Sequence, residues 1–148
     1  MVIRSKSQEE TQKLGVEMGK SLKTGLLCLI GELGAGKTTF VRGLAKGMGI
    51  KSRIQSPTFT YQRVHTGKKK LYHFDFYRIN GPDQLLINDL LEAYSNNDGI
   101  VVIEWAEKLS SFFPETFEKS AVSAPTRKDI YFKYIDSDTR EIKIKNYD

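Results

Sequence analysis

The chain is poor in the residues that staple a fold or tie it to a membrane. One cysteine among 148 residues excludes an internal disulfide. Cys28 lies inside the apolar run "GLLCLIG" and reads as a small buried side chain, not a nucleophile. Two histidines, with no cysteine cluster beside them, do not make a metal site and read as hydrogen-bonded or exposed. No apolar run approaches the roughly 18 residues that cross a bilayer, and the opening "MVIRSKSQEETQK" lacks the apolar centre of a signal peptide. Internal repeats, low-complexity tracts and flexible linkers are also missing. The length suits one domain spanning 1–148, and by default the location is the cytoplasm.

Charge is unevenly spread. Between Arg42 and Arg78 stand nine Lys or Arg and one acid, Asp75, whereas Ile79 to Glu118 holds one Lys and eight acids. A basic segment beside a phosphate pocket would steer a polyanion such as RNA, or offset ATP or an acidic partner. "GKKK" reads equally well as a solvated hairpin tip.

Periodicity places the elements. Ser7 and Glu10 have capping-box spacing, and Thr11, Leu14, Met18 and Leu22 follow at helical intervals, so a helix is expected over 8–22. Leu26 to Ile30 is a short unbroken apolar run, suited to a strand buried on both faces. From Thr38 the pattern turns helical, with Gly49 as its stop. "RIQSPTFTYQRV" and "LYHFDFYRI" read as two strands joined by a basic turn, with Ser56 held extended by the proline behind it. A helix follows in "NGPDQLLINDLLEAY", with Pro82 as its first residue. Ile100 to Ile103 is a second buried strand that ends at Glu104 and Trp105. "DIYFKYIDSDTREIKIK" alternates on both sides of a polar turn and reads as a terminal hairpin outside the catalytic machinery. The expected class is α/β: a mostly parallel central sheet flanked by helices, with antiparallel hairpins.

"GELGAGKT", Gly31 to Thr38, fits G-x-x-x-x-G-K-[ST]. Its glycines let successive backbone N–H groups turn inward as an anion nest, and the following helix adds its positive end. Lys37 would reach the β- and γ-phosphates, and Thr38 would be a magnesium ligand. Such a loop needs a second carboxylate at the end of another buried strand, where Glu104 stands. Asp75 sits in the aromatic strand "LYHFDFYR", whose alternation puts His73, Asp75 and Tyr77 on one face and Tyr72, Phe74 and Phe76 on the other. Two roles fit it equally: a site near magnesium or the attacking water, or an ion pair with Arg78 or Arg63. Trp105 reads as core before it reads as a stacking platform. Thr58, in "SPTF", lies where switch loops sense a γ-phosphate, and the same stretch also reads as a rigid turn.

Taken together, "GELGAGKTTFVRGLAKGMG", "SPTFTY", "LYHFDFYRI" and "IEWAEKL" resemble the bacterial TsaE (YjeE) family of P-loop ATPases, over roughly residues 5–110. The resemblance implies a P-loop NTPase fold. It implies that Gly31, Glu32, Leu33, Gly34, Ala35, Gly36, Lys37, Thr38 and Thr39 bind ATP or ADP, and that Thr38 and Glu104 hold Mg2+. It also implies that Lys37 and Asp75 act at the hydrolytic centre and that Thr11 borders the adenine. It further implies action on TsaB and TsaD in forming threonylcarbamoyladenosine in tRNA, with contact to the tRNA direct or indirect and no role for DNA or membrane. Three rivals stand beside it. A small-molecule kinase would need an arginine-bearing lid for which the chain has little room. An RNA-binding module using Phe59, Tyr61 and Tyr72 would leave the phosphate loop unexplained. A GTPase would need an N-K-x-D to read guanine, and the chain has none.

Overall fold

The computed structural model describes residues 1–55, 60–81, 83–112 and 127–147; Ser56 to Phe59, with Thr58, and Pro82 lie outside them. In chain order the elements are β1 (Val2–Ser5), α1 (Gln8–Ser21), β2 (Gly25–Gly31), α2 (Lys37–Gly47), β3 (Gln62–Thr66), β4 (Lys70–Asp75), α3 (Gln84–Asn96), β5 (Gly99–Glu104), α4 (Glu107–Phe112), β6 (Arg127–Tyr134) and β7 (Arg140–Tyr147). Among the described residues seven strands form one sheet, in the order β1-β7-β6-β2-β5-β4-β3. The inner pairs β6–β2, β2–β5 and β5–β4 are parallel, and the outer pairs are antiparallel. The expected parallel centre with hairpin margins is what forms. Among the described residues no helix is long and apolar enough to cross a membrane.

The unbroken apolar runs of β2 and β5 follow from helices covering both faces of the sheet. Leu27, Leu29, Val102 and Ile130 pack with Phe40 and Leu44 of α2, and Leu14 and Met18 of α1 close over that cluster. On the opposite face Cys28, Phe74 and Ile103 pack with Leu86 and Leu90 of α3 and with Leu109 of α4. Cys28 is fully buried, and burial pushes its thiol far above the ordinary range. Tyr72, Phe74 and Phe76 share this cluster, as the alternation requires.

Helix ends are set locally. Ser7 Oγ accepts from Glu10 N at 3.1 Å, and the Glu10 carboxylate accepts from Lys6 N at 2.6 Å, one residue before the usual capping-box donor. Asp83 caps α3 by accepting from Leu85 N and Leu86 N. The packing of α1 on α2 is close because glycines meet backbone: a Cβ at Gly15 would lie 2.3 Å from Phe40 O, and one at Gly43 would lie 2.0 Å from Gln12 O.

Three expectations need correction. The first strand of the central hairpin spans only Gln62–Thr66, because residues 50–54 turn back over α2. Ile50 N donates to Ala45 O, Arg42 Nε reaches Ile54 O at 3.4 Å, and both isoleucines are buried in the core. The second strand stops at Asp75; Phe76 N donates to Glu104 O and Ile79 N to Phe76 O, so Tyr77 leaves the pleat. The basic turn is also misplaced by sequence reasoning. Lys68 to Lys70 stand at the amino end of β4, whereas the phosphate loop follows the carboxyl end of the parallel β2.

His65 carries a pH dependence. It is buried, Nδ1 lies 3.2 Å from Ser52 Oγ, and Nε2 has no partner among the described residues. Burial, and then the neighbouring His73 and Arg63, lower its pKa below the ordinary 6.5. A depressed histidine contributes stability above the unfolded pKa that is lost as pH falls through the folded one. Urea unfolding at pH 7.5 and pH 5.5 should therefore show a weaker fold at the lower pH, and His65→Gln should flatten that difference. An unchanged difference would remove His65 as its source.

Candidate nucleotide site

Three strand ends converge. Parallel register sets Asp75 of β4 opposite Glu104 of β5, and Glu104 opposite Leu29 of β2, two residues before Gly31. Carboxyl ends of parallel strands are where open α/β sheets bind ligands. Gly31 to Gly36 link β2 to α2. At Gly36, the N-cap of α2, φ is +104, a conformation that favours glycine. Gly31 lies against β6, where a Cβ would be 2.5 Å from Phe132 O.

The polar groups are held from several sides. Glu104 is 2 % exposed. Its Oε1 accepts from Thr38 Oγ1 at 2.9 Å, and Oε2 lies 2.6 Å from His73 Nε2. Lys37 is 5 % exposed; its Nζ donates to Gly31 O and to Glu32 O, and sits 3.6 Å from the centre of the Trp105 ring. Burial lowers the Lys37 pKa, opposed by the carboxylates of Glu107, Glu104 and Asp75. Asp75 Oδ1 accepts from Tyr77 N at 2.9 Å. Burial raises its pKa above the ordinary aspartate value, the Tyr77 N–H opposes that rise, and nearby Glu104 adds to it. His73 and Lys37 are its other titratable neighbours.

These groups border a cleft of about 1160 Å³. One wall is Leu33 to Thr39 with Thr11, and the other includes Tyr61, Asp75, Tyr77, Asp89, Glu104 and Trp105. Among the sequence-predicted residues that the structure describes, Gly31 and Glu32 supply carbonyl acceptors to Lys37, and the others border the cleft. A hydroxyl and a carboxylate in direct contact are hard oxygen donors of the kind magnesium takes, since that ion keeps waters and phosphate oxygens as its remaining ligands. Thr38 and Glu104 therefore fit the ion chemically.

A sequence profile described as "Threonylcarbamoyl adenosine biosynthesis protein TsaE" matches residues 5–142. The chain belongs to the TsaE family. It is similar to the tRNA threonylcarbamoyladenosine biosynthesis protein TsaE of Treponema pallidum, with 41% identity over 112 residues covering 75% of this chain and 82% of that one. The Bacillus subtilis protein of the same name is 35% identical over 142 residues, 94% of this chain and 81% of its own. The crystal structure of Bacillus subtilis YdiB superposes with a TM-score of 0.74 at 31% identity, covering 100% of this chain and 86% of that one. This TsaE-family chain thus has a P-loop NTPase fold and takes part in tRNA threonylcarbamoyladenosine biosynthesis.

The TsaE site holds further residues whose contacts the sequence did not give. His73 is wholly buried and carries the hydrogen bond that orients Glu104, while its Nδ1 has no partner among the described residues. Its shared face with Asp75 was the available clue. Trp105 is half-buried and adopts φ +60, uncommon for a bulky residue. Tyr77 packs on it with ring centres 5.1 Å apart, and Lys108 Nζ fixes that turn by donating to Tyr77 O and Ile79 O. The terminal hairpin reaches the cleft: Arg140 Nε donates to Gly34 O at 3.2 Å, and its turn lines the cleft through Ser137 and Asp138. Nothing local in "DSDTRE" announces that contact. Thr11 spends its hydroxyl on Ser5 Oγ at 2.6 Å and turns its methyl toward Gly36.

Proposed function

We propose that this TsaE-family chain, acting as one nucleotide-binding unit over its whole length, binds ATP with Mg2+ and hydrolyses it, in the service of a TsaB–TsaD complex that modifies tRNA. The observation that carries the reading is the Thr38–Glu104–His73 chain of contacts at 2.9 and 2.6 Å beside the buried Lys37. In this reading the backbone N–H groups from Leu33 to Thr39 cradle the phosphates, and Thr11 borders the base through its methyl group. Lys37 exchanges its carbonyl acceptors for phosphate oxygens, which bind an ammonium more strongly. Thr38 and Glu104 hold the magnesium, which when bound neutralises charge on the transferring phosphoryl group. Asp75, with its pKa raised toward the working pH, orients the attacking water and takes its proton.

Hydrolysis is slow in isolation and is completed by partners. In support, the cleft of about 1160 Å³ is larger than the about 300–1,000 Å³ of common small-molecule sites. ATP turnover by the purified protein with magnesium, alone and with TsaB plus TsaD, tests this, with Lys37→Ala as control. Stimulation that vanishes in Lys37→Ala is the expected result. Turnover that the partners do not raise would refute partner completion, and phosphate transfer to a small acceptor would make the protein a kinase.

A further inference from the structure

We propose that the end of the sheet opposite the nucleotide cleft is an RNA-docking face that grips the phosphate backbone of tRNA. The choice of tRNA rests on the proposed role in tRNA modification; the surface itself does not. From Arg42 to Phe74 the chain has no Asp or Glu, and the fold gathers separate pieces of that stretch onto one end. Lys68 N donates to Met48 O at 3.2 Å, and a Cβ at Gly49 would touch the Lys68 side chain at 3.2 Å. Ser52 Oγ meets His65 Nδ1 at 3.2 Å, which seats Lys51 and Arg53 against the β3–β4 hairpin. Lys46, Lys51, Arg53 and Lys68 are exposed there and Lys69 is half-buried.

Among the described residues none of these five forms an ion pair; Lys70 alone is matched, by Asp98 at 3.3 Å. Unmatched like charges at close range repel and do nothing for the fold, so a single-sign patch of this kind points to an external anion. ATP in the cleft is not that anion. Six residues of β4 separate the two ends, about 20 Å at roughly 3.3 Å per residue, which is more than twice the ~8 Å screening length at physiological salt. The patch is dominated by lysines and presents no aromatic residue from these segments, so it suits backbone phosphates and does not read bases.

The test is fluorescence anisotropy of a labelled unmodified tRNA transcript with purified protein between about 50 and 200 mM salt. Wild type is compared with Lys51→Ala/Arg53→Ala/Lys68→Ala/Lys69→Ala, and with the single reversals Lys51→Glu and Lys68→Glu in case the quadruple variant folds poorly. Affinity for a fluorescent ATP analogue reports the fold and the cleft separately. Expected are a loss of tRNA affinity of tenfold or more, a salt slope shallower by roughly one for each phosphate contact removed, and unchanged ATP affinity. Wild-type tRNA binding that ignores salt, or variants that bind tRNA as wild type does, would overturn the proposal. So would variants that keep tRNA but lose stimulation by TsaB–TsaD, since the face would then dock protein. Failure of ATP binding in every protein, with tRNA binding still following the charges, would sink the ATPase reading and leave this one standing.

Discussion

Glu104→Gln is expected to keep ATP affinity within a few-fold and to slow hydrolysis by at least about a hundredfold, the scale seen when one electrostatic stabiliser is taken from a transition state. The phosphate nest is made of backbone and survives the change. The amide oxygen still accepts a hydrogen bond, but the charge that faces Thr38 and His73 is gone. Glu104→Ala goes further, because it leaves a wholly buried imidazole without its partner, at a cost of about 1–3 kcal/mol. Comparing single-turnover rate, nucleotide affinity and melting temperature across the two variants separates chemistry from folding. Parallel loss of affinity, rate and stability in Glu104→Gln would make Glu104 a residue of the fold and not of the reaction.

Gly43→Ala should destabilise the protein even though alanine is the better helix former. A Cβ there would lie 2.0 Å from Gln12 O, and the reciprocal positions Gly19 and Gly47 would meet Leu44 O at 2.3 Å and Val16 O at 2.2 Å. The obstacle is backbone, so α1 and α2 must move apart. Overpacking of this kind costs typically 1–3 kcal/mol, against a propensity gain of roughly 0.5–1 kcal/mol. Gly43→Leu should exceed that and lower the melting temperature by roughly 5–10 °C. ATP affinity should fall with it, because α1 carries Thr11 at the cleft wall. Gly81, where an added Cβ meets nothing within 4 Å, is the control. If Gly43→Ala melts like wild type, the helix contact is looser than these distances require.

The elements that sequence made legible are those whose cause is local. The runs Leu26–Ile30 and Ile100–Ile103 are apolar on every residue because both faces are covered, and the phosphate loop announces itself by spacing. Ser7 and Glu10 announce a helix start in the same way. What escaped depends on register and return paths. Alternation put Asp75 and His73 on one face, but only the parallel pairing of β4 with β5 places that face against Glu104. The fold-back of residues 50–54 arises because Ile50 and Ile54 find the flank of α2, a choice invisible in the extended-looking "RIQ". Arg140 reaches Gly34 across 106 residues, so no window of sequence could connect them. The basic turn was read beside the pocket because it is near in sequence; strand direction puts it at the far end.

Trp105 is the only tryptophan of the chain, and the Lys37 ammonium rests against its face. The molecule therefore carries an intrinsic optical probe wired to its phosphate-binding lysine. Any anion that draws Lys37 off the indole changes the electric field on that chromophore, so the state of the loop is written in the protein's own emission without a label being added.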